Sequence, residues 1–164
     1  MCGIIGVTGK EPASRILLDG LKSLEYRGYD SAGIAVQKDE GLVVLRRAGK
    51  LVELESVVGE LEPFGSTGIG HARWATHGSP TESNAHPHLN GNDRVAVIHN
   101  GIIENHEELR REMEAAGCAF RSQTDTEVLA HMIEDFTEYG LGTGVQKAQG
   151  VVEGAYGLGV PELD

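Results

Sequence analysis

The chain has 164 residues, 40% of them hydrophobic, which is enough apolar material to build the core of one domain. Its 14 basic and 25 acidic residues give a net charge of −11, so phosphate-bearing nucleic acids and anionic lipid surfaces are repelled and neither is expected as a partner. No run approaches the roughly 18 consecutive apolar residues of a membrane span, and no basic leader or apolar signal core begins the chain. We therefore expect a cytoplasmic protein.

Short apolar runs bounded by Gly, Asp or Asn predict the strands of the fold. In chain order they cover residues 4–7, 32–36, 42–45, 68–72, 95–98 and 155–160. Asp39-Glu40-Gly41 separates the second run from the third and predicts a hairpin turn. The sheets should therefore be mixed or antiparallel, with helices packed outside, rather than doubly wound and parallel.

Five segments between the strands have the 3.6-residue period of amphipathic helices. The first is expected to begin at Pro12, the third at an Asn105-x-x-Glu108 capping box and the fourth at Thr124. Gly117 should end the third helix, and the fifth should span 145–152. The residues expected on the buried faces of the first four are Ala13, Ile16, Leu17, Leu21 and Leu24; Leu51, Leu54, Val58 and Leu61; Leu109, Met113 and Ala116; and Val128, Leu129, Met132, Ile133 and Phe136.

One long irregular segment, residues 77–92, is polar and rich in Gly, Pro, Asn and His. Its composition favours a binding loop or lid over a linker. It contains His77, His86 and His88, but the H-x-H pair lies beside a proline and has neither a cysteine nor a well-spaced third ligand. No metal is therefore expected.

The most reactive residue predicted by the sequence is Cys2, because Met1 is followed by the small residues that normally permit its removal. Removal leaves Cys2 with a free α-amine whose pKa, about 7.7 to 8.0, allows it to take the proton of the adjacent thiol. The alternative is a buried cysteine beginning an edge strand. Cys118, set among small apolar residues, is expected to be a buried structural residue.

Four further positions could serve a reaction on a carboxamide. Asn100 and Gly101 follow a predicted strand and could donate to a developing oxyanion, although Asn-Gly is also a common turn. Arg73 stands at a strand end and could hold a carboxylate with its forked guanidinium. Asp125 could accept from an ammonium group, or could simply stabilise the first turn of a helix.

Seven segments together resemble the class II glutamine amidotransferases, which have an N-terminal nucleophile fold. They are residues 2–6, 24–33, 70–78, 84–88, 99–105, 124–127 and 154–157. Within that class the chain is most similar to the glutaminase domains of the isomerising glutamine:fructose-6-phosphate aminotransferase family. The purine-synthesis amidotransferases are the alternative, but they usually have Arg-Tyr-Ser-Thr where this chain has Arg73-Trp74-Ala75-Thr76.

The resemblance implies a role for each matching residue. Cys2 would attack the side-chain amide of L-glutamine, Asn100 and Gly101 would form the oxyanion hole, and no cofactor or metal would be needed. The residues implied in binding the substrate or supporting the N-terminus are Arg73, Trp74, Thr76, His77, Asp125 and Arg27.

The resemblance also implies an α+β fold, a four-layer α-β-β-α sandwich with mainly antiparallel sheets. Residues 1–164 would form one glutaminase domain that lacks its C-terminal strands and the sugar-isomerase domains, which a separate synthase chain would supply. Uncovered strand edges would favour association into a homo-oligomer. A glutamine-binding or partner-binding fragment without turnover remains the alternative function.

Overall fold

The computed structural model of the chain describes residues 2–39 and 41–161. The expected removal of Met1, the middle residue Glu40 of the predicted turn and residues 162–164 lie outside the described part. No helix in the described part is both long and apolar enough to cross a membrane.

The described residues form seven strands and five α-helices, with short 3-10 turns at Glu25–Arg27 and Thr137–Tyr139. The strands are β1 (Gly3–Thr8), β2 (Ser31–Lys38), β3 (Gly41–Ala48), β4 (Thr67–Arg73), β5 (His88–Leu89), β6 (Ala96–Gly101) and β7 (Tyr156–Gly159). The helices are α1 (Ala13–Leu24), α2 (Leu51–Leu61), α3 (His106–Ala115), α4 (Thr126–Asp135) and α5 (Leu141–Gln149).

The strands form two sheets whose neighbours all run antiparallel. The first has the order β1-β4-β2-β3 and the second β5-β6-β7. Lys38 pairs with Gly41 at the end of the β2–β3 ladder, so the predicted hairpin is confirmed. All six predicted strands are confirmed within a few residues, and the two-residue strand β5 was not predicted.

Three apolar clusters separate four layers. The first joins α1 and α2 to the first sheet, with Leu17, Ile34 and Leu54 at its centre. The second lies between the two sheets and contains Ala35, Ile69, Ala96 and Ile98. The third joins the second sheet to the remaining helices, with Val97, Leu129 and Ile133 among its members. The expected four-layer sandwich is confirmed, because a helical layer covers the outer face of each sheet.

Strand periodicity places two candidate site residues in the space between the sheets. Side chains alternate along a strand, so Arg73 shares the face of Ile69 in the inter-sheet cluster. Ile4 packs against the same cluster, and Cys2 lies two residues before it. Because Gly3 pairs with Ala72, Cys2 stands opposite Arg73 where β1 and β4 meet.

The helix predictions were correct for type but inaccurate at their edges. Ile16 is 36% and Leu61 is 61% exposed, because the buried stripes of their helices are narrower than the apolar pattern suggests. The capping box at Asn105 is not formed: its side chain instead donates to the carbonyl of Val151 and accepts from the N–H of Glu153. Hydrogen bonds to residues 151 and 153 thus replace the predicted cap of the helix that follows.

Other expected boundaries and burials were also wrong. α1 begins one residue after Pro12, α4 begins two residues after Thr124, and α5 begins at Leu141 rather than at 145. The remaining errors of burial are Ala116, which is exposed, and Leu24, Met113, Phe136 and Cys118, which are only partly buried. Gly117, with φ of 99°, does end α3 as predicted.

The polar segment 77–92, for which the composition predicts a binding loop or lid, is buried in its middle. The side chains that are at most 5% exposed are Asn84, Ala85, His86, His88 and Asn90. The segment passes close to the first sheet, where a Cβ on Gly33 would lie 2.1 Å from the carbonyl oxygen of His86. A glycine in β2 is thus what allows the polar segment to enter the core.

Gly33→Ala is therefore expected to destabilise the fold by about 2 kcal/mol or more, since the added methyl group overlaps a backbone carbonyl that cannot rotate away. The matched control is Gly6→Ala in β1, where a Cβ would meet nothing within 4 Å. Urea unfolding of both variants measures the difference. Equal midpoints for the two alanine variants would contradict the close approach of the segment.

Candidate active site

A cleft of about 500 Å³ opens at the end of the inter-sheet space. Its lining residues come from the N-terminus, the end of β4, the end of β6 and the start of α4. They are Cys2, Arg73, Trp74, Thr76, His86, His99, Asn100, Gly101, Ile102, Glu104, Asp125, Thr126 and Ala155. A larger depression of about 1050 Å³ beside the β2–β3 hairpin has no Cys, His or Arg among its described lining residues. The smaller cleft is therefore the one whose lining includes a cysteine thiol, an arginine and two histidines.

The Cys2 thiol is held by the backbone of Trp74. The N–H of Trp74 donates to Sγ at 3.2 Å, and Sγ lies 3.5 Å from the Trp74 carbonyl oxygen. Burial raises the pKa of the thiol, although the hydrogen bond from Trp74 opposes this effect. The thiol is therefore protonated at neutral pH and needs a base to become a nucleophile.

Asn100 and Gly101 line the cleft beside Cys2. The side-chain amide of Asn100 donates to the carbonyl oxygen of Cys2 at 3.4 Å. Gly101 has φ of 154°, and a Cβ there would lie 2.5 Å from the carbonyl oxygen of Ala155. The strand end therefore requires glycine for a close backbone approach, and the interpretation of Asn-Gly as a turn is wrong.

Arg73 is 2% exposed and joins the cleft to the segment that follows it. Its guanidinium donates to the carbonyl oxygens of His77, of Gly78 at 3.2 Å and of Ser79 at 3.3 Å. Burial lowers the pKa of this guanidinium, and neighbouring Asp30 partly offsets the effect. The cation thus stabilises a tight turn and also contributes positive charge to the cleft wall.

Asp125 is 4% exposed and immediately precedes α4. Its Oδ2 accepts from the N–H of Ile103 at 2.9 Å, and its side chain makes no capping hydrogen bond to its own helix. The carboxylate therefore ties the chain after β6 to the start of α4. The carboxylate also lines the cleft, where its negative charge can face a ligand.

The other predicted site residues divide into two groups. Trp74 and Thr76 line the cleft, and the half-exposed Trp74 ring contacts the edge of Tyr29 at 5.2 Å between centroids. His77 does not line the cleft and packs against His106 at 4.8 Å. Arg27 lies in the 3-10 turn beside β4, also away from the lining.

Asp30 is a further residue of the site that sequence reasoning did not single out. Its carboxylate accepts from the N–H of Ala75 and, at 3.1 Å, from the hydroxyl of Ser31. It thereby holds the backbone that binds the Cys2 thiol through Trp74. Its place in the Arg27–Ser31 motif is the signal that could have identified it.

The sequence suggested His86 and His88 only as metal ligands, and their packing with His71 into one group of buried rings was missed. His71 stacks on His86 with centroids 4.2 Å apart, and His86 meets His88 edge to face at 4.6 Å. Burial lowers the pKa of His71 and of His88 to about 3 and that of His86 well below its usual value, so these rings are neutral. No group of three His, Cys, Asp or Glu side chains in residues 2–39 and 41–161 is arranged to hold a metal ion.

Sequence comparison identifies related proteins. A family model described as "Glutamine amidotransferase domain" matches residues 61–154. The glutamine–fructose-6-phosphate aminotransferase [isomerizing] of Thermus thermophilus is 54% identical over 164 residues, which are 100% of this chain and 27% of that protein. The protein of the same name from Vibrio parahaemolyticus is 53% identical over 160 residues, covering 96% of this chain and 26% of its own length. The chain thus spans about a quarter of the length of these relatives.

Solved structures with the same fold include larger amidotransferases. The glutamine phosphoribosylpyrophosphate amidotransferase from B. subtilis, complexed with ADP and GMP, has a TM-score of 0.85 and 30% identity. The match covers 99% of this chain and 35% of that one. A structure described as the allosteric regulatory enzyme of purine biosynthesis gives a TM-score of 0.84 and 32% identity, with 98% and 35% coverage.

Proposed function

The chain belongs to the glutamine amidotransferase domain family, and we propose that Cys2 hydrolyses the side-chain amide of L-glutamine. One observation carries this proposal: the Cys2 thiol, the Asn100 amide and the two charged groups of Arg73 and Asp125 share one cleft. These groups would supply a nucleophile, an oxyanion donor and ligands for both charged ends of an amino acid.

The proposed reaction begins after Met1 is removed. The α-amine of Cys2 takes the thiol proton, and the thiolate attacks the amide carbon of glutamine. Asn100 has two amide N–H groups, one of which donates to the Cys2 carbonyl while the second faces the oxyanion together with the N–H of Gly101. Collapse of the intermediate returns the proton to the leaving nitrogen, which releases ammonia and leaves a γ-glutamyl thioester. Water then attacks the thioester, which releases glutamate and restores the thiol.

The α-carboxylate of glutamine is proposed to bind Arg73 and the α-ammonium to bind Asp125. Hydrogen bonds to charged groups contribute about 1.5–3 kcal/mol each, so this pair can select a free amino acid over an amide without an α-amine. Trp74 and Thr76 line the same cleft and would contact bound glutamine. Arg27 would support the N-terminal segment from beside β4, and His77 would belong to the turn that Arg73 fixes.

The ammonia is proposed to serve the aminotransferase reaction named for the relatives, that is, synthesis of glucosamine 6-phosphate from fructose 6-phosphate. The 54% identity to that family exceeds the 30% identity to the phosphoribosylpyrophosphate enzyme. Residues 1–164 would form the glutaminase domain, and sugar-binding domains would be supplied by further sequence or by a partner chain. A cytoplasmic location is proposed because a free nucleophilic thiol needs a reducing compartment.

The test is a coupled assay of ammonia and glutamate released from L-glutamine, with L-asparagine as the matched control. Equal amounts of the two products are expected from glutamine, and asparagine should react at least about 100-fold more slowly because its amide is misplaced by one methylene group. Intact-mass analysis of the same sample should show a chain that lacks Met1. An active sample that retains Met1 would contradict the α-amine as base, and calorimetric binding of glutamine without any ammonia would contradict hydrolysis.

A further inference from the structure

The Thr126 hydroxyl joins two buried histidines that line the cleft with it, His86 and His99. It is fully buried, and its Oγ1 lies 2.7 Å from Nε2 of His86 and 3.0 Å from Nδ1 of His99. A hydroxyl group has one proton, and the two ring nitrogens are the only hydrogen-bond partners of Oγ1 in residues 2–39 and 41–161, so the hydroxyl is satisfied when it donates to one ring and accepts from the other. The two rings therefore cannot have independent tautomers.

The charge around the two rings sets the direction of these hydrogen bonds. Oδ2 of Asp125 lies 3.9 Å from Nδ1 of His99, so a proton on that nitrogen is favoured and a lone pair there is repelled. The neighbours that act electrostatically on His86 are Arg73 and the rings of His71, His88 and His99, and none of them carries a negative charge. His99 therefore donates from Nδ1 to Thr126, and Thr126 donates to Nε2 of His86.

His99 is consequently held at both its side chain and its backbone. Its ring binds Thr126, and its carbonyl oxygen lies 3.1 Å from Nε2 of His71, which must donate because a carbonyl can only accept. Asn100 and Gly101 follow directly in the chain. The hydroxyl of Thr126 thus joins the strand end that carries the oxyanion donors to the start of α4, where Asp125 is the preceding residue.

We propose that Thr126 is a positioning residue, whose hydroxyl sets the tautomers of His86 and His99. These hydrogen bonds fix the oxyanion donors Asn100 and Gly101 relative to the Asp125 side chain, which would bind the ammonium group of glutamine. The inference deepens the proposed function and rests on it for the roles of Asn100 and Asp125. The hydrogen-bond arrangement itself exists without any substrate.

The first test reads the tautomers directly. Long-range proton–nitrogen spectra of the imidazole groups, recorded on the full chain at pH 7 without ligand, distinguish Nδ1–H from Nε2–H. We expect Nδ1–H at both His86 and His99, Nε2–H at His71, and a changed His86 or His99 pattern in Thr126→Val. An Nε2–H tautomer at His99, or identical spectra for the variant and the wild type, would overturn the proposal.

The second test measures turnover in Thr126→Val, which has the same shape without the hydroxyl, and in Thr126→Ser, which restores it. We expect kcat to fall roughly 10- to 100-fold in the valine variant, with KM within about threefold of wild type, because small misplacements penalise the chemical step most. The serine variant should recover kcat to within about threefold. A serine variant as slow as the valine variant, or a valine variant as fast as wild type, would overturn the proposal.

The two tests separate this inference from the proposed function. A wild-type chain that does not hydrolyse glutamine contradicts the function, whereas the tautomers still decide whether Thr126 orders the histidines. A wild-type chain that hydrolyses glutamine but has the opposite tautomers leaves the function intact and removes the inference.

Discussion

Cys2→Ala is expected to abolish glutamine hydrolysis, with a loss of at least about 1,000-fold, because no thioester can form without the thiol. The matched control is Cys118→Ala, which removes the other free cysteine, a partly buried residue that does not line the cleft. Ammonia release from glutamine by the purified variants measures the difference. Wild-type turnover in Cys2→Ala would show that hydrolysis occurs elsewhere or through another group.

Glutamine binding should survive the same substitution. Arg73 and Asp125 are proposed to hold the charged groups of the substrate, and neither depends on the thiol for its contacts: Arg73 binds the 77–79 carbonyls and Asp125 binds Ile103. Calorimetry of Cys2→Ala should therefore give a Kd within roughly tenfold of the KM of the wild type. Loss of both binding and turnover would instead indicate that the substitution disturbs the cleft.

The sole tryptophan provides an internal check on that disturbance. The backbone of Trp74 binds Cys2, and its half-exposed ring lines the cleft beside Tyr29. Unchanged near-ultraviolet circular dichroism in Cys2→Ala would show that the ring keeps its surroundings. If turnover is lost while the tryptophan signal is unchanged, the loss results from the missing thiol and not from a disturbed cleft.

The strands of this fold could be predicted because their signal is local. The apolar runs of β2 and β6 are buried on both faces and are bounded by turn residues, so sequence pattern and burial agree. The four-layer sandwich of the N-terminal nucleophile hydrolases followed only from the resemblance, and the fold match to larger amidotransferases confirms it. Hydrophobic periodicity and the predicted hairpin indicated only mixed or antiparallel sheets with helices packed outside.

The burial of segment 77–92 was not predicted because its partners are distant in sequence. Asn84 exchanges hydrogen bonds with Gln123, 39 residues away, and the ring of His88 lies 2.9 Å from the hydroxyl of Thr124. A polar segment normally stays in water, but here the chain before α4 supplies partners for the buried Asn84 and His88. No periodicity in the segment itself could indicate this.

The chain before α4 also explains why this helix begins two residues after the predicted start at Thr124. Glu127 is 2% exposed, and although burial opposes it, hydrogen bonds from Ser122 and from the N–H of Arg121 lower its pKa to about 2. The carboxylate therefore folds back onto residues 121–122 instead of capping the helix at Thr124. The sequence pattern indicates that Glu127 caps the helix at Thr124. Its carboxylate instead accepts from the N–H groups of residues 121 and 122, which precede the predicted cap.

The candidate site was more predictable than the helix ends because its residues terminate elements. Cys2 precedes β1, Arg73 ends β4, Asn100 and Gly101 end β6, and Asp125 precedes α4, so the fold brings them to one edge. Asp30 and Thr126 also lie at element starts, directly before β2 and at the first residue of α4, so position alone does not separate them from many other residues. Their contacts show what they support.

Asn100→Ala is expected to lower kcat for glutamine hydrolysis by roughly 100- to 1,000-fold, with little change in KM, because an oxyanion donor acts mainly in the transition state. Asn100→Asp keeps the size of the side chain but replaces the donor with a negative charge, so it should be at least as slow. The matched control is Asn92→Ala, at an exposed asparagine outside the cleft lining. Steady-state kinetics on the three variants provide the measurement.

The Asn100 amide also donates to the Cys2 carbonyl, so its loss could act by loosening the N-terminus rather than by removing the oxyanion donor. The two effects differ in what they do to the thiol. A loosened terminus would change the rate at which Cys2 is alkylated by iodoacetamide, whereas loss of an oxyanion donor leaves alkylation unchanged because that reaction develops no oxyanion. Reduced kcat with unchanged alkylation supports the oxyanion role, and parallel changes in both rates would assign Asn100 to holding Cys2 in place.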